Sequence, residues 1–385
     1  MRILIVRNYP TTFELENRCY NIQEIGLARA LRRRGHACDV VFFCANRPRL
    51  CEVACENGPI CVHYIRAVRV LKCGVFPRAL DDLAAGYDIV QLSEYNQIQA
   101  FRYARRFERK AVILHGPYFS PFNWRYNLLC RAVDVLFLPR YRRLGTHFMV
   151  KSAQAERFLR GKGIDPAHID RVYVGLDEQA FAGEAGPLPE RLSRALSGDA
   201  PVLAYVGAIE PRRKSLFLLD VFDAVRKRAP SARLAIVGDG KAAYKRRFAA
   251  RMRKLGIGAH VVWVERLEQP SLAALYRRAS AFLFPTAFDI FGMALLEAMY
   301  FGVPVIASPC GGTDALIRDG ENGFVMAEDA PERWAACAAR LLEDPALCGR
   351  IGAAARATVC GSFTWDAVCG RYLESYRRKL KEGGE

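Results

Sequence analysis

Two carboxylates, Asp289 and Glu297, flank a segment whose residue types suit the binding of an anion. The segment reads DIFGMALLE, and an apolar run precedes it. A helix that begins after Gly292 would leave the amides of Met293 and Ala294 unpaired, and free amides at a helix N-terminus attract negative charge. Glu297, one turn further, could accept hydrogen bonds from sugar hydroxyls. An ordinary surface glutamate and a turn-forming aspartate would show the same pair, so both interpretations stay open at this point.

Basic residues and glycines follow three other strand-like runs in the same half of the chain. The segments are VGAIEPRRK at residues 206–214, VGDG at 237–240 and VERLEQP at 264–270. Arginine and lysine after the first of these runs can neutralise a diphosphate. A solvated basic loop and plain turns would use the same residue types. The candidate donor ligands in these segments are Gly207, Arg212, Arg213, Lys214, Gly238 and Arg266.

Short apolar strands alternate with amphipathic helices along the chain and would position these residues. The alternation predicts parallel sheets with helices on both faces. It lapses at residues 183–200, which are rich in Gly, Pro, Ser and Glu, and then restarts. We therefore expect an α/β protein of two doubly wound, Rossmann-like domains facing across a cleft, where ligands of such sheets bind. One strand of the first domain is predicted at residues 134–138.

The predicted domain boundaries follow from this pattern. Residues 1–182 form the first expected domain, 183–200 the linker, and 201–362 the second expected domain. Residues 363–385 form an amphipathic helix that could cross back to the first domain.

From about residue 201 onward, the sequence resembles the family-four retaining glycosyltransferases of the GT-B fold, glycosyl transferases group 1. The resemblance is carried, in order, by VGAIEPRRK, AIVGDG, SAFLFPTAFDIFGMALLEAMYFGVPVIASPCGGTDALIRDGENGF and FTWDAV. The first half is similar to the family's acceptor domain more loosely, through IQEIGLARALRRRGH and AVILHG. The family's glycine pair after the first strand is missing from residues 7–21.

The resemblance implies transfer of a hexosyl-type sugar from a nucleotide diphosphate sugar, with retention at the anomeric carbon. It implies that Glu297 holds the ribose, Asp289 the donor sugar and Lys214 the diphosphate. His115, at the end of a strand, would lie beside the reacting sugar. The amides after Gly292, at Met293 and Ala294, would face the donor. No metal or other cofactor is expected, because lysine, arginine and helix amides supply the positive charge.

Two departures from the family's pattern keep other functions open. Asp289 is a methylene shorter than the usual glutamate, and Ala208 stands where an arginine usually joins the lysine. Arg212 or Arg213 is the candidate replacement for that charge. The alternatives are a nucleotide-sugar-binding protein without catalysis and a sugar-nucleotide epimerase of the same fold. We favour front-face attack over a covalent intermediate, since no well-placed nucleophile is evident.

Residues after His115 could form the acceptor side of the site. The aromatic stretch YFSPFNWRY, residues 118–126, makes Tyr118 and Trp124 the candidates, although simple packing explains it equally well. The remaining histidines lack paired ligand spacing, so we expect no metal site. They are His36, His63, His147, His168 and His260.

The chain carries 57 Lys and Arg against 40 Asp and Glu, a formal charge of +17. Such an excess favours anionic partners. Basic clusters at residues 32–34, 102–110 and 140–143 favour contact with an anionic membrane surface, although a solvated basic surface would show the same clusters. The family resemblance implies a glycan or lipid-linked acceptor, of the kind used in surface polysaccharide or glycoconjugate synthesis. A nucleic-acid partner is not expected, because no recognition motif accompanies the charge.

The length and the cysteines limit the class of protein further. A chain of 385 residues with 51% hydrophobic residues can bury two cores. Its 13 cysteines are odd in number and form no C-x-x-C, which favours reduced thiols used as small apolar residues. No signal peptide or spanning stretch is recognisable. We therefore expect a cytoplasmic protein, peripheral on the inner face of the cell membrane.

Overall fold

The structure is a computed structural model that describes residues 1–9, 15, 22–44, 47–70 and 73–382. The described chain divides into two compact units. The first contains residues 1–9, the described residues between 22 and 175, and residues 365–382; the second contains residues 176–364. Cys19 lies outside the described residues, and so does most of the stretch 7–21 that lacks the family's glycine pair.

Eight strands form the main sheet of the first unit within the described residues. In chain order the strands of this unit are β1 (Arg2–Val6), β2 (Ala37–Cys44), β3 (Arg49–Val53), β4 (Ile60–Arg66), β5 (Val68–Val70), β6 (Cys73–Val75), β7 (Ile89–Ser93), β8 (Ala111–His115), β9 (His147–Val150) and β10 (Ile169–Arg171). The sheet order is β10-β9-β8-β7-β1-β2-β4-β3, with β5 and β6 as a separate pair. All neighbours in the main sheet are parallel except β3, which runs antiparallel to β4.

Helices cover this sheet and connect its strands. They are α1 (Gln23–Arg33), α2 (Arg78–Ala85), α3 (Ile98–Arg106), α4 (Trp124–Leu136), α5 (Leu138–Arg143), α6 (Ala153–Gly161) and, at the carboxyl end, α15 (Trp365–Glu382).

A second parallel sheet, of six strands within residues 176–364, forms the other unit. Its strands are β11 (Val202–Val206), β12 (Arg233–Val237), β13 (Val261–Val264), β14 (Ala281–Phe284), β15 (Val305–Ala307) and β16 (Phe324–Val325), in the order β13-β12-β11-β14-β15-β16. Its helices are α7 (Glu190–Ala195), α8 (Ser215–Arg228), α9 (Ala242–Lys254), α10 (Gln269–Arg278), α11 (Met293–Tyr300), α12 (Thr313–Leu316), α13 (Pro331–Glu343) and α14 (Pro345–Ser362).

Apolar strands buried on both faces explain why the two sheets form. The central strands β1 and β11 are almost wholly buried, as expected of parallel strands with helices on both sides. Each unit has its own hydrophobic core around its sheet. The prediction of two Rossmann-like α/β domains is confirmed. The stretch predicted as the linker, residues 183–200, includes α7 and lies within the second unit.

The strand predicted at residues 134–138 is wrong. These residues form the end of α4 and the start of α5, and Phe137 N donates to Val133 O at 2.7 Å. The side chains of Val135 and Leu136 are exposed, so their apolar character does not mark a buried strand. The place beside β8 in the sheet is taken by β9 instead.

The carboxyl-terminal helix α15 packs on the first unit. The hydroxyl of Tyr376 donates to Gln91 Oε1 at 2.6 Å, and that of Tyr372 donates to Tyr173 O at 2.8 Å. Arg33 of α1 pairs with Asp366 at 2.9 Å. These contacts make α15 part of the first unit's core.

The cysteines that the structure describes are free thiols, and several are fully buried, among them Cys38, Cys130 and Cys369. This burial fits their expected use as small apolar residues. Among the described residues, no helix combines the length and the apolar character that crossing a membrane requires.

Candidate functional site

The loop after β14 leads to α11, which begins at the carboxyl edge of the second sheet. Gly292 caps the helix with φ at +81°, a left-handed conformation that favours glycine. The next loop lies directly against it, since a Cβ on Gly312 would be 1.6 Å from Phe291 O. The two glycines therefore fix the first turn of α11, where Met293 and Ala294 stand.

Arg213 and Asp289 form an ion pair beside this loop. The Nη1 of Arg213 donates to the carboxylate of Asp289, and Ile290 N donates to the same carboxylate at 2.7 Å. The Arg213 guanidinium also lies 5.7 Å from the ring centroid of Phe284. Burial opposes the charge on Arg213, but Asp289, together with Tyr205 and Glu210, outweighs burial and raises the pKa of the guanidinium. The arrangement is a largely buried ion pair at the strand ends, and it holds the guanidinium of Arg213 in place.

The two neighbouring basic residues have other partners. Arg212 donates to Phe288 O at 2.8 Å and to Glu210 Oε1 at 2.6 Å. Lys214 has a left-handed backbone, with φ at +47°, and its Nζ lies 2.6 Å from Asp329 Oδ1. Of the three predicted phosphate ligands, the structure therefore brings only Arg213 together with Asp289.

Glu297 is a buried residue of α11, with 7% of its surface exposed. The hydroxyl of Tyr276 donates to its Oε2 at 3.0 Å. Burial raises the pKa of Glu297 to about 7, and the hydrogen bond from Tyr276 only partly opposes this. The alternative of an ordinary surface glutamate is wrong, because the side chain is inside the unit.

The remaining predicted donor residues lie at the same edge of the sheet. Since the strands are parallel, the carboxyl ends of β11 to β14 share one edge. Gly207 and Gly238 follow β11 and β12, and a Cβ on Gly238 would be 1.9 Å from Gly207 O. Arg266 follows β13 and is exposed. Together with Lys245, the larger influence, it lowers the pKa of Asp239.

In the first unit, His115 ends β8 and is fully buried. Its Nδ1 lies 2.7 Å from Oε2 of Glu94, which follows β7 and also accepts from Gly116 N at 3.3 Å. Burial alone would raise the pKa of Glu94, but His115 and Lys151 outweigh it and lower that pKa.

Sequence reasoning missed Glu94. The backbone of Glu94 has a φ of +62°, which is unusual for a residue other than glycine. The signal in the sequence was an acidic residue directly after the short run IVQLS at residues 89–93.

The aromatic stretch after His115 divides between packed and exposed residues. Phe119 lies edge-on to Phe158, 4.7 Å between centroids, and Phe158 stacks on His115 at 5.5 Å. Tyr118 is half-buried, whereas Trp124 is exposed at the start of α4. The structure thus links the start of this stretch to His115, while Trp124 belongs to an exposed helix face.

Comparisons with known proteins agree with this architecture. Residues 25–180 match the family model Glycosyltransferase Family 4, and residues 190–358 match Glycosyl transferases group 1. The chain is 32% identical over 224 residues to a D-inositol 3-phosphate glycosyltransferase of Mycolicibacterium paratuberculosis, covering 57% of this chain and 49% of that protein. A protein of the same name from Segniliparus rotundus is 33% identical over 226 residues, with the same coverage of each chain. The chain spans about half the length of these curated relatives.

Solved structures show the same fold. Sucrose-phosphate synthase from Thermosynechococcus elongatus superposes with a TM-score of 0.73 at 20% identity, over 99% of this chain and 100% of that one. Anabaena HepE, in complex with UDP and glucose, superposes with a TM-score of 0.72 at 17% identity, over 98% of this chain and 99% of that one. With two family models matching the two units in turn, the chain belongs to the family-four glycosyltransferases, glycosyl transferases group 1.

Proposed function

We propose that this protein is a retaining glycosyltransferase that moves a sugar from a nucleotide diphosphate sugar to a hydroxyl of a glycan or lipid-linked acceptor. The observation that carries the proposal is the buried Glu297 on α11, the helix that follows the loop in which Asp289 pairs with Arg213. A carboxylate, a fixed cation and free helix amides are the groups that a ribose, a diphosphate and a sugar require.

In this proposal each donor group has its own ligand. The Glu297 carboxylate accepts hydrogen bonds from ribose hydroxyls, which compensates for its burial. The amides of Met293 and Ala294 face the diphosphate and the sugar. Asp289 accepts from sugar hydroxyls, and Arg213 supplies the charge that the family's arginine, replaced by Ala208, would supply.

Support for Arg213 over Lys214 comes from burial and partners. Lys214 Nζ is held by Asp329, and its ion pair is partly exposed, where water screens it. Arg213 is only 17% exposed and already lies against Asp289. A cation in such a site stabilises developing charge more than one in water.

The proposed reaction breaks the bond between the anomeric carbon and the phosphate oxygen. The acceptor oxygen forms the new bond on the same face of the sugar, and its proton passes to the departing phosphate oxygen. Nucleoside diphosphate leaves, with its charge stabilised by Arg213 and the helix amides. Because these groups supply the positive charge, we propose that the transfer step itself needs no metal ion.

His115 is proposed to contact the reacting sugar or the acceptor. Its Nδ1 faces Glu94, which fixes the orientation of the ring. Its Nε2 is buried and has no hydrogen-bond partner within the described chain. A buried nitrogen without a partner is costly, and a substrate hydroxyl would satisfy it.

The acceptor is proposed to lie at an anionic membrane surface that contacts α4. Trp124, Leu128, Arg131 and Val135 repeat at helical spacing on this helix, and all four are exposed. An apolar helix face with arginine beside it suits the headgroup region of an anionic leaflet. Since nucleotide sugars are cytoplasmic metabolites, this leaflet would be the inner one.

Vesicle co-sedimentation tests the membrane contact. At low salt the protein should sediment with anionic vesicles and much less with neutral ones. Leu128→Ser should weaken the binding, whereas Leu50→Ser, a change of another exposed leucine on β3, should not. Equal binding of both variants would rule out α4 as the contact.

A panel of nucleotide sugars tests the proposed reaction. Release of nucleoside diphosphate from at least one donor, slow by hydrolysis and faster with an acceptor extract, is the expected result. Treatment with EDTA should leave the rate unchanged. Donor binding without release of nucleoside diphosphate would instead favour a nucleotide-sugar-binding protein without catalysis, the alternative that Asp289 and Ala208 suggest. Inversion of a sugar centre without transfer would favour an epimerase.

A further inference from the structure

We propose that His147, His168 and Glu382 form a binding site for one zinc ion on the first unit. One ligand atom from each residue lies within 4.8 Å of the others. Glu382 Oε2 is 3.9 Å from His147 Nδ1. A tetrahedral zinc ion with bonds of about 2.0–2.2 Å holds its ligand atoms somewhat closer, so small side-chain movements would close the site.

Three elements bring these residues together. His147 is the first residue of β9, and His168 directly precedes β10. Because Phe148 pairs with Ile169, the two histidines stand at adjacent strand starts. Glu382 ends α15, two turns after Ser375, whose Oγ lies 2.9 Å from His147 Nε2.

The contacts of His147 leave one nitrogen for a ligand. Its Nε2 lies 2.8 Å from Asp170 Oδ2, so the proton on Nε2 points to that carboxylate and Nδ1 keeps a lone pair. A carboxylate behind a metal-binding histidine in this way fixes its orientation. His147 is fully buried, and its Nδ1 has no hydrogen-bond partner within the described chain; the same holds for Nδ1 of His168.

The donor set suits zinc. Two imidazole nitrogens and one carboxylate oxygen, with water as the fourth ligand, form a common zinc environment.

The place of the site argues for a structural role. β8 and β9 are parallel, and Val112 pairs with His147 whereas His115 pairs with Val150. The zinc site is therefore at the amino ends of these strands, whereas His115 is at the carboxyl end of β8. A metal ion there would fasten α15 to β9 and β10 without touching substrate. This inference is independent of the proposed reaction.

Metal titration of the full chain tests the site. Chelator-treated protein should bind one equivalent of Zn²⁺ and unfold at a higher temperature with it, and hydrogen exchange in residues 365–382 should slow. His168→Ala and Glu382→Ala change residues that are not fully buried, and each should weaken the binding at least tenfold and abolish the thermal shift. His260→Ala, in the second unit, serves as the matched control and should change neither.

Co²⁺ as a spectroscopic probe separates this site from the free cysteines. Nitrogen and oxygen ligation should give visible d–d bands without the near-ultraviolet charge-transfer band of cobalt bound to thiolate. A thiolate band at one equivalent, binding that survives both variants, or no binding at one equivalent would overturn the proposal.

Discussion

The guanidinium of Arg213 donates to the carboxylate of Asp289, and the side chains are only 17% and 16% exposed. The pair joins the loop after β11 to the loop after β14 at the carboxyl edge of one parallel sheet. It also connects the two departures from the family's pattern, because Asp289 replaces the usual glutamate and Arg213 stands near Ala208.

Replacing Arg213 should damage the reaction far more than replacing Lys214. Arg213→Gln removes the buried cation and should lower the transfer rate by about 100-fold or more. Lys214→Gln removes a partly exposed ion pair and should cost less than about fivefold. Steady-state rates at saturating donor measure both. A larger loss of transfer rate in Lys214→Gln than in Arg213→Gln would instead indicate that Lys214 binds the diphosphate.

Arg213→Gln also leaves Asp289 without its guanidinium, so the folded fraction must be measured alongside the rates. Arg213→Lys keeps the positive charge and should recover part of the activity.

Asp289→Glu should slow the transfer at least tenfold. The shorter acid accepts from Ile290 N at 2.7 Å while it pairs with Arg213, and an added methylene cannot keep both contacts in the same place. Single-turnover rates with saturating donor measure the change, and Asp289→Asn, which keeps the size of the side chain, is the matched comparison. Wild-type rates in the glutamate variant would show that the pocket is not built around aspartate.

Glu297→Gln should make the donor-free protein more stable at alkaline pH. Burial raises the pKa of Glu297 from 4.5 to about 7, so the folded protein binds a proton that the unfolded chain has released. Stability from this group is therefore present below pH 4.5 and is lost as the pH rises to 7, by about 3 kcal/mol in total. Denaturant unfolding should show that the free energy of unfolding of the variant, relative to that of wild type, increases by about this amount between pH 5 and pH 8. The same difference in unfolding free energy between the two proteins at pH 5 and at pH 8 would contradict the raised pKa.

Gly312→Ala should destabilise the second unit and weaken donor binding. Its Cβ would be 1.6 Å from Phe291 O, so the loop before α11 must move. Overpacking of this kind costs about 1–3 kcal/mol. Gly349→Ala, in α14 with open space around its Cβ, should instead gain about 0.5–1 kcal/mol. Denaturant unfolding measures the stability of both variants. Equal stability of Gly312→Ala and Gly349→Ala would contradict the close approach of Gly312 to Phe291 O.

Local patterns were enough to predict the fold and to place the candidate donor residues at the ends of strands. The alternation of strands and helices is a local signal, and so is the glycine before α11. The strand at residues 134–138 failed for the same reason: Val135 and Leu136 are apolar, but they lie on an exposed helix face that no local pattern separates from a strand.

Contacts between distant residues were beyond the sequence. Glu94 contacts His115 only because β7 and β8 are neighbours in the folded sheet. The choice between Arg213 and Lys214 depends on Asp289 and Asp329, which lie far along the chain. His147, His168 and Glu382 show no ligand spacing, because β9, β10 and α15 meet only in the folded unit.

In the proposed function, Glu297 and the amino end of α11 bind a nucleotide diphosphate sugar. Isothermal titration of the nucleotide-sugar panel against wild type and Glu297→Ala measures this binding. One donor should bind per chain, with an affinity at least about tenfold weaker in the variant, since a charged hydrogen-bond acceptor is lost. Equal affinity of both proteins for every donor that binds, with the variant shown to be folded, would contradict it.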